Sequence, residues 1–383
     1  MRVAEITTFA CRIAARPQLL VKVTAENGVH GWGEAGLTGR ERSVEALIGQ
    51  LGMLIRGRSV FDTEALALLA NNAYYFEGGL TLQTAIGALD IALHDLRGRL
   101  LEVPVHDLLG GRVRDRVPLF HNINTGPEDE IVTVAQRLAA EGWRALRLSV
   151  CAPGEADGTM FDPAAEAVRF ALLCNALRRA LPREIVLGID LHRRFDPPQF
   201  ARFLDHLLPR TLDFIEEPIR AHSVPAYVGA RVPGGPRIAL GEEFCTKWEF
   251  APYLEAGVMD YCRLDLCLAG GITEGRKVAA LCEARYVPVM PHNPLGAVSF
   301  AANLHFGVSV PNFAYLEYQR PTDKDPRIDA VVTRRATADA GFAGPLECPG
   351  LGVEIDEAKL QQLSEAAWCA PRLHDRDGGI VAW

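Results

Sequence analysis

The chain has 383 residues, 49% hydrophobic and 23% charged, with a formal net charge of −8. That length exceeds one ordinary hydrophobic core and points to two domains, or to one large barrel with an attachment. The acidic balance excludes a nucleic-acid binder, and no stretch reaches the roughly 18 consecutive apolar residues of a membrane span. Nine cysteines without a CxxC pair read as reduced thiols, and the N-terminus lacks a signal-peptide stretch, so a cytoplasmic protein is expected.

Residues 1–10 and 19–25 read as strands, with ENGVHGWGE (26–34) turning into a third. Ser43–Ile55 has helical period, and residues 81–101 form a predicted amphipathic helix with Ile86, Leu89, Leu93 and Leu96 on one stripe. The pattern breaks at Gly110 and Gly111. A capping domain is therefore expected over residues 1–115, a catalytic domain over 116–320 and a C-terminal segment over 321–383.

Beyond the break, short apolar runs alternate with helical stretches. The runs cover residues 117–122, 144–150, 185–190, 212–217, 238–243, 259–265, 286–292 and 313–318, eight candidate strands in all. Eight β/α alternations suit an α/β fold of the TIM-type barrel class. A doubly wound open sheet would usually need a Gly-rich phosphate loop, and no GxGxxG follows the first strand.

Six consecutive runs carry Asp, Glu or His near their C-terminal ends, the face where barrel active sites form: Asp190, Glu216, Glu242, Asp265, His292 and Glu317. Asp190, Glu216 and Glu242 follow one another at intervals of 26 residues. Three neighbouring carboxylates repel one another unless a cation intervenes, and an all-oxygen set favours Mg²⁺ over Zn²⁺. Such a site suits proton abstraction beside a substrate carboxylate, with the metal stabilising the enediolate, a known arrangement for this chemistry. His292 fits the base, with Asp265 orienting its ring. His192, two residues after Asp190, is expected on the same strand face, within reach of a departing hydroxyl as general acid. The metal ligands neutralise a cation rather than fill a core, so Gln at Glu216 or Glu242 is expected to leave the fold mostly intact.

The segments ENGVHGWGE, AIGALDIALHDLRGR, LLGGRVRDRVP, GIDLHRRF, FIEEPI, LGEEF, DLCLAGGITEGRKVA, PHNPLGAVSFAANLH and GLGVEIDEAKL come in order along nearly the whole chain. In them the sequence resembles the mandelate racemase subgroup of the enolase superfamily, and within it the galactonate dehydratases. HRRF and PNFAYLEYQRP are similar to mannonate dehydratases. The resemblance implies a modified enolase-type barrel, capped by an α+β domain from the N-terminal third and the C-terminal segment. It implies one Mg²⁺ per subunit on Asp190, Glu216 and Glu242, His292 with Asp265 as base, and His192 as acid. Glu317 would contact the substrate carboxylate or the enediolate.

Racemases of this subgroup carry Lys-x-Lys at the end of the second barrel strand, the second lysine being the opposite-face base. Here the stretch is Arg147-Leu148-Ser149. With one base on one face, β-elimination of water from a sugar acid is expected, giving a 2-keto-3-deoxy acid. The enzyme would be a carbon–oxygen lyase (hydro-lyase), with a galactonate-like aldonate as first substrate and a homo-oligomeric assembly. The alternatives are a single-base epimerase, a lactone cycloisomerase, or a catalytically silent sugar-acid-binding relative.

Overall fold

A computed structural model describes residues 1–13, 17–73, 75–124, 126–150, 158–318, 326–363 and 368–381. In chain order it begins with β1 (Val3–Arg12), β2 (Pro17–Ala25), β3 (His30–Ala35), α1 (Glu41–Ile55), α2 (Thr63–Asn72), α3 (Leu80–Leu101) and α4 (Val105–Leu108). There follow β4 (Val117–Asn124), α5 (Glu128–Ala140), β5 (Ala145–Ser149), α6 (Pro163–Ala180), β6 (Val186–Asp190), α7 (Pro197–His206), β7 (Phe214–Glu216), α8 (Val224–Ala230) and β8 (Arg237–Leu240). Then come α9 (Lys247–Glu255), β9 (Tyr261–Cys262), α10 (Gly271–Glu283), α11 (Ala297–Ser309) and β10 (Leu316–Tyr318). The chain divides into two compact units: Met1–Pro118 with Glu242–Phe250 and Leu264–Trp368, and Leu119–Gly241 with Ala251–Arg263 and Cys369–Trp383.

In the first unit β1, β2 and β3 form an antiparallel meander. Leu19, Val21 and Val23 of β2 join Val44, Ile48 and Leu51 of α1 and Leu89, Leu93 and Leu96 of α3 in one core. The single apolar stripe expected on α3 is corrected by the structure. Residues 83–96 are buried on every face, Asp90, His94 and Asp95 included, because α1, α2, α10 and β3 all pack on this helix. Its buried acids are satisfied by backbone donors: Asp95 accepts N–H bonds from Trp32 and Leu351, each at 2.8 Å. The glycines of HGWGE have a packing cause, since a Cβ on Gly31 or Gly33 would overlap the α3 backbone at Ala92 and Ala88.

The second unit holds a sheet in which β4, β5, β6, β7, β8 and β9 pair in sequence order, every pairing parallel. Helices follow the strands as the alternation predicts, and α6, α7 and α8 start on side-chain caps, Ser223 Oγ accepting the Ala226 N–H bond at α8. Asp162 accepts N–H bonds from Ala164 and Ala165 at α6, and Asp196 with Gln199 forms a capping box at α7. The expected strand at residues 286–292 is reduced, in the first unit, to an isolated bridge between Val289 and Phe313. Pro288 and Pro291 flank Val289 and remove the N–H donors a ladder needs. Among the described residues no helix is long and apolar enough to cross a membrane.

Candidate active site

The parallel register of the second unit sets Ser149, Asp190 and Glu216 side by side at the C-terminal ends of β5, β6 and β7. Glu216 is completely buried. Its Oε1 accepts a 2.7 Å bond from Arg263 Nε, and its Oε2 a 2.6 Å bond from Arg147 Nη1. Arg147 Nη1 also lies 3.7 Å from Asp190 Oδ2, and Arg147 Nε donates to Asn122 Oδ1 at 2.9 Å. Both guanidinium groups rest over the Phe120 ring, 5.1 and 5.3 Å from its centroid. Two acids and two guanidinium groups balance in charge, and a buried carboxylate requires such compensation. Sequence reasoning passed over Arg263. The available signal was its position two residues before Asp265, in a run read as strand.

His192 has a different setting from the one expected. β6 ends at Asp190, and His192 and Arg193 have left-handed backbones, with φ of +49° and +59°. The two-residue strand period therefore does not govern where His192 points. A local bond holds this turn instead, His192 N donating to Asp190 Oδ1 at 2.8 Å.

The other candidates belong to the first unit. His292 Nδ1 lies 2.8 Å from Asp265 Oδ2, and Asp265 Oδ1 accepts from Cys267 N at 2.7 Å. A carboxylate at Nδ1 places the ring proton there and leaves Nε2 as the basic atom. That Nε2 is 3.9 Å from Glu242 Oε2. His292 N donates to Leu264 O at 3.0 Å, and the next residue, Asn293, donates its N–H to Glu317 Oε2 at 3.3 Å. Glu317 and Asp265 are both buried.

Among the described residues no group of three or more His, Cys, Asp or Glu side chains is gathered closely enough to hold a metal ion. Around Glu216 the guanidinium groups close in instead. The donor chemistry nevertheless fits a hard cation: each Glu216 oxygen accepts one N–H bond and keeps a further lone pair, and Asp190 Oδ2 lies beyond hydrogen-bond distance of Arg147.

Residues 130–359 match the family described as Enolase C-terminal domain-like, and residues 6–110 match the mandelate racemase / muconate lactonizing enzyme N-terminal domain. The chain belongs to the enolase superfamily. It is 33% identical to a D-galactonate dehydratase of Variovorax paradoxus (strain S110) and 32% identical to one of Ralstonia pickettii (strain 12J), each comparison covering 100% of both chains. An enolase from Agrobacterium radiobacter with bound Na and L-malate has a TM-score of 0.90 at 28% identity over 100% of both chains. An enolase from Pantoea ananatis with bound D-gluconate and Mg has a TM-score of 0.90 at 26% identity over 99% of each. The parallel sheet with its alternating helices, and the N-terminal domain with its antiparallel meander, are those of the enolase-superfamily fold.

Proposed function

We propose that this enolase-superfamily enzyme is a dehydratase of acid sugars, a Mg²⁺-dependent hydro-lyase whose first candidate substrate is a galactonate-like aldonate. The observation that carries this reading is the 2.8 Å pairing of His292 with Asp265, in a chain similar over its full length to two D-galactonate dehydratases. Asp190, Glu216 and Glu242 would hold the cation, which when bound supplies neutralising charge beside the substrate carboxylate.

His292 Nε2 takes the α-proton, and the C–H electron pair moves onto the carboxylate to give an enediolate. Asp265 holds the ring and stabilises the imidazolium. As the electron pair returns, the bond to the β-hydroxyl breaks, and His192 supplies the proton that lets it leave as water. The resulting enol becomes a 2-keto-3-deoxy acid. Glu317 faces the substrate carboxylate in this scheme. Ser149, in register beside Asp190, supplies no second base, which favours elimination over racemisation.

The test is a panel of aldonates and aldarates assayed for 2-keto product, before and after treatment with a chelator. At least one acid sugar should yield product, and activity should vanish on chelation and return with Mg²⁺ or Mn²⁺. Full activity in chelator rejects the carboxylate triad. α-Epimer or opened lactone without 2-keto product rejects dehydration in favour of an epimerase or cycloisomerase, and binding without any turnover favours a silent relative.

A further inference from the structure

Glu34, the last residue of the HGWGE motif, is a completely buried carboxylate on β3 that the scheme above does not use. Its Oε1 accepts a 2.8 Å bond from Gly296 N, and its Oε2 a 3.0 Å bond from Ser299 N. These are donors at the start of α11, whose own N-cap residue, Gly296, has no side chain to offer. The network continues: Ser299 Oγ donates to Asn293 Oδ1 at 2.8 Å, and Asn293 Nδ2 donates to Glu317 O at 3.2 Å. Asn293 follows His292 directly. A Cβ on Gly296 would come within 2.7 Å of both Glu34 Oε1 and Gln18 Nε2, so this approach tolerates only glycine without displacement.

We propose that Glu34 is a positioning residue for His292, anchoring the segment Asn293–Ser299 to β3 so that the imidazole and Glu317 keep their places; this rests on the dehydratase reading for the role of His292. Packing alone would be served more cheaply by an apolar or amide side chain, because burying a carboxylate is costly unless donors compensate it. Burial pushes the Glu34 carboxyl up to about 7, against the opposing pull of the Ser299 and Gly296 N–H groups and with Asp265 adding to the rise. The helix start and its N–H groups are what make an anion tolerable there.

The test compares Glu34→Gln, Glu34→Asp and Gly296→Ala with the wild type in turnover and in the rate of carbethoxylation of His292 and His192, read by peptide mapping. In Glu34→Gln, kcat should fall roughly 10- to 100-fold, as expected when a reacting group is displaced by a fraction of an ångström, while KM stays within about 3-fold. His292 labelling should change and His192 labelling should not, with Glu34→Asp intermediate. A Glu34→Gln protein with wild-type kcat and wild-type His292 labelling overturns the proposal, as does one that loses only thermal stability. If Glu34→Gln does not fold, Gly296→Ala puts the same question by displacing the carboxylate. A wild type that dehydrates no acid sugar counts against the dehydratase reading alone, since the His292 labelling rates still decide the role of Glu34.

Discussion

Glu216 and Glu34 are both completely buried carboxylates, and the structure accommodates them in different ways. Glu216 is held between two guanidinium groups, Arg147 and Arg263, in the strand-end row of the second unit. Glu34 is held in the first unit by the backbone N–H groups of Gly296 and Ser299. A carboxylate whose partners are full charges cannot be removed without stranding those charges. One whose partners are backbone dipoles leaves only unsatisfied donors, a smaller penalty that falls on the geometry of one loop. The first region is therefore expected to respond to mutation in stability as well as in activity, the second mainly in catalysis.

The largest effect belongs to the loop. His292→Asn should lose at least the roughly 10²–10⁴-fold that general-base catalysis contributes, with the folded protein retained. In D₂O it should place no deuterium at the α-carbon of recovered substrate. His192→Asn should still form the enediolate and return a proton to the α-carbon, so deuterium should accumulate there with little 2-keto product. Exchange in the His292 variant but not in the His192 variant, read by NMR, would reverse the two roles.

The strand-end row gives the next largest effect, and here the structure changes the expectation from sequence. On sequence alone the fold is expected to tolerate Glu216→Gln, because a metal ligand fills no core. With Arg263 completely buried and Arg147 nearly so, losing the Glu216 charge takes a carboxylate partner from each guanidinium group and leaves Asp190 alone to balance the two. A stability loss of about 3–5 kcal/mol is expected from urea unfolding, in addition to the loss of activity. Replacing Arg147, Glu216 and Arg263 together by apolar residues of similar volume should restore most of that stability. A Glu216→Gln protein as stable as the wild type would break the contrast with Glu34.

Much of this architecture was legible beforehand because it is written in local patterns. The β/α alternation, the strands of the meander and the extents of α1 and α3 follow from apolar period. The acidic residues at β6 and β7 were visible as strand ends. What escaped depends on contacts between distant segments. Arg263 is informative only once its Nε meets Glu216, 47 positions away, and Glu34 only once Gly296 and Ser299 arrive from 262 and 265 positions away. The turn at His192 escaped for a local reason: positive φ at a non-glycine residue has no strong sequence signature. In the segment at 286–292 the apolar content conceals the effect of two prolines, which leave a single bridge in place of a strand.

The smallest effect sharpens the comparison with a third buried cluster, built on two imidazoles, one of which accepts a 3.1 Å bond from Arg112 Nε. His106 and His305 stack with centroids 5.2 Å apart, both rings buried. His305 Nδ1 accepts the His106 backbone N–H at 3.1 Å, and its Nε2 is 3.3 Å from Leu351 O, which fixes a neutral tautomer with the proton on Nε2. Burial, reinforced by His106 and then opposed by Leu351 O, holds the His305 imidazole down at about 3. The unfolded chain binds a proton at this residue near the ordinary value of 6.5. Between 6.5 and 3 the unfolded state therefore carries more protons, so the contribution of His305 is complete above 6.5 and is lost as pH falls towards 3. The slope is at most about 1.4 kcal/mol per pH unit. Glu34 works in the opposite sense: its raised value means the folded state binds more protons between 4.5 and about 7, so its contribution declines as pH rises through that range. In wild-type protein the two trends offset each other over the shared window. Urea unfolding followed from about pH 7.5 to about pH 5 should thus fall less steeply with acid in His305→Gln than in the wild type, and more steeply in Glu34→Gln. Parallel curves for all three proteins would show that neither buried group titrates differently in the folded and unfolded states.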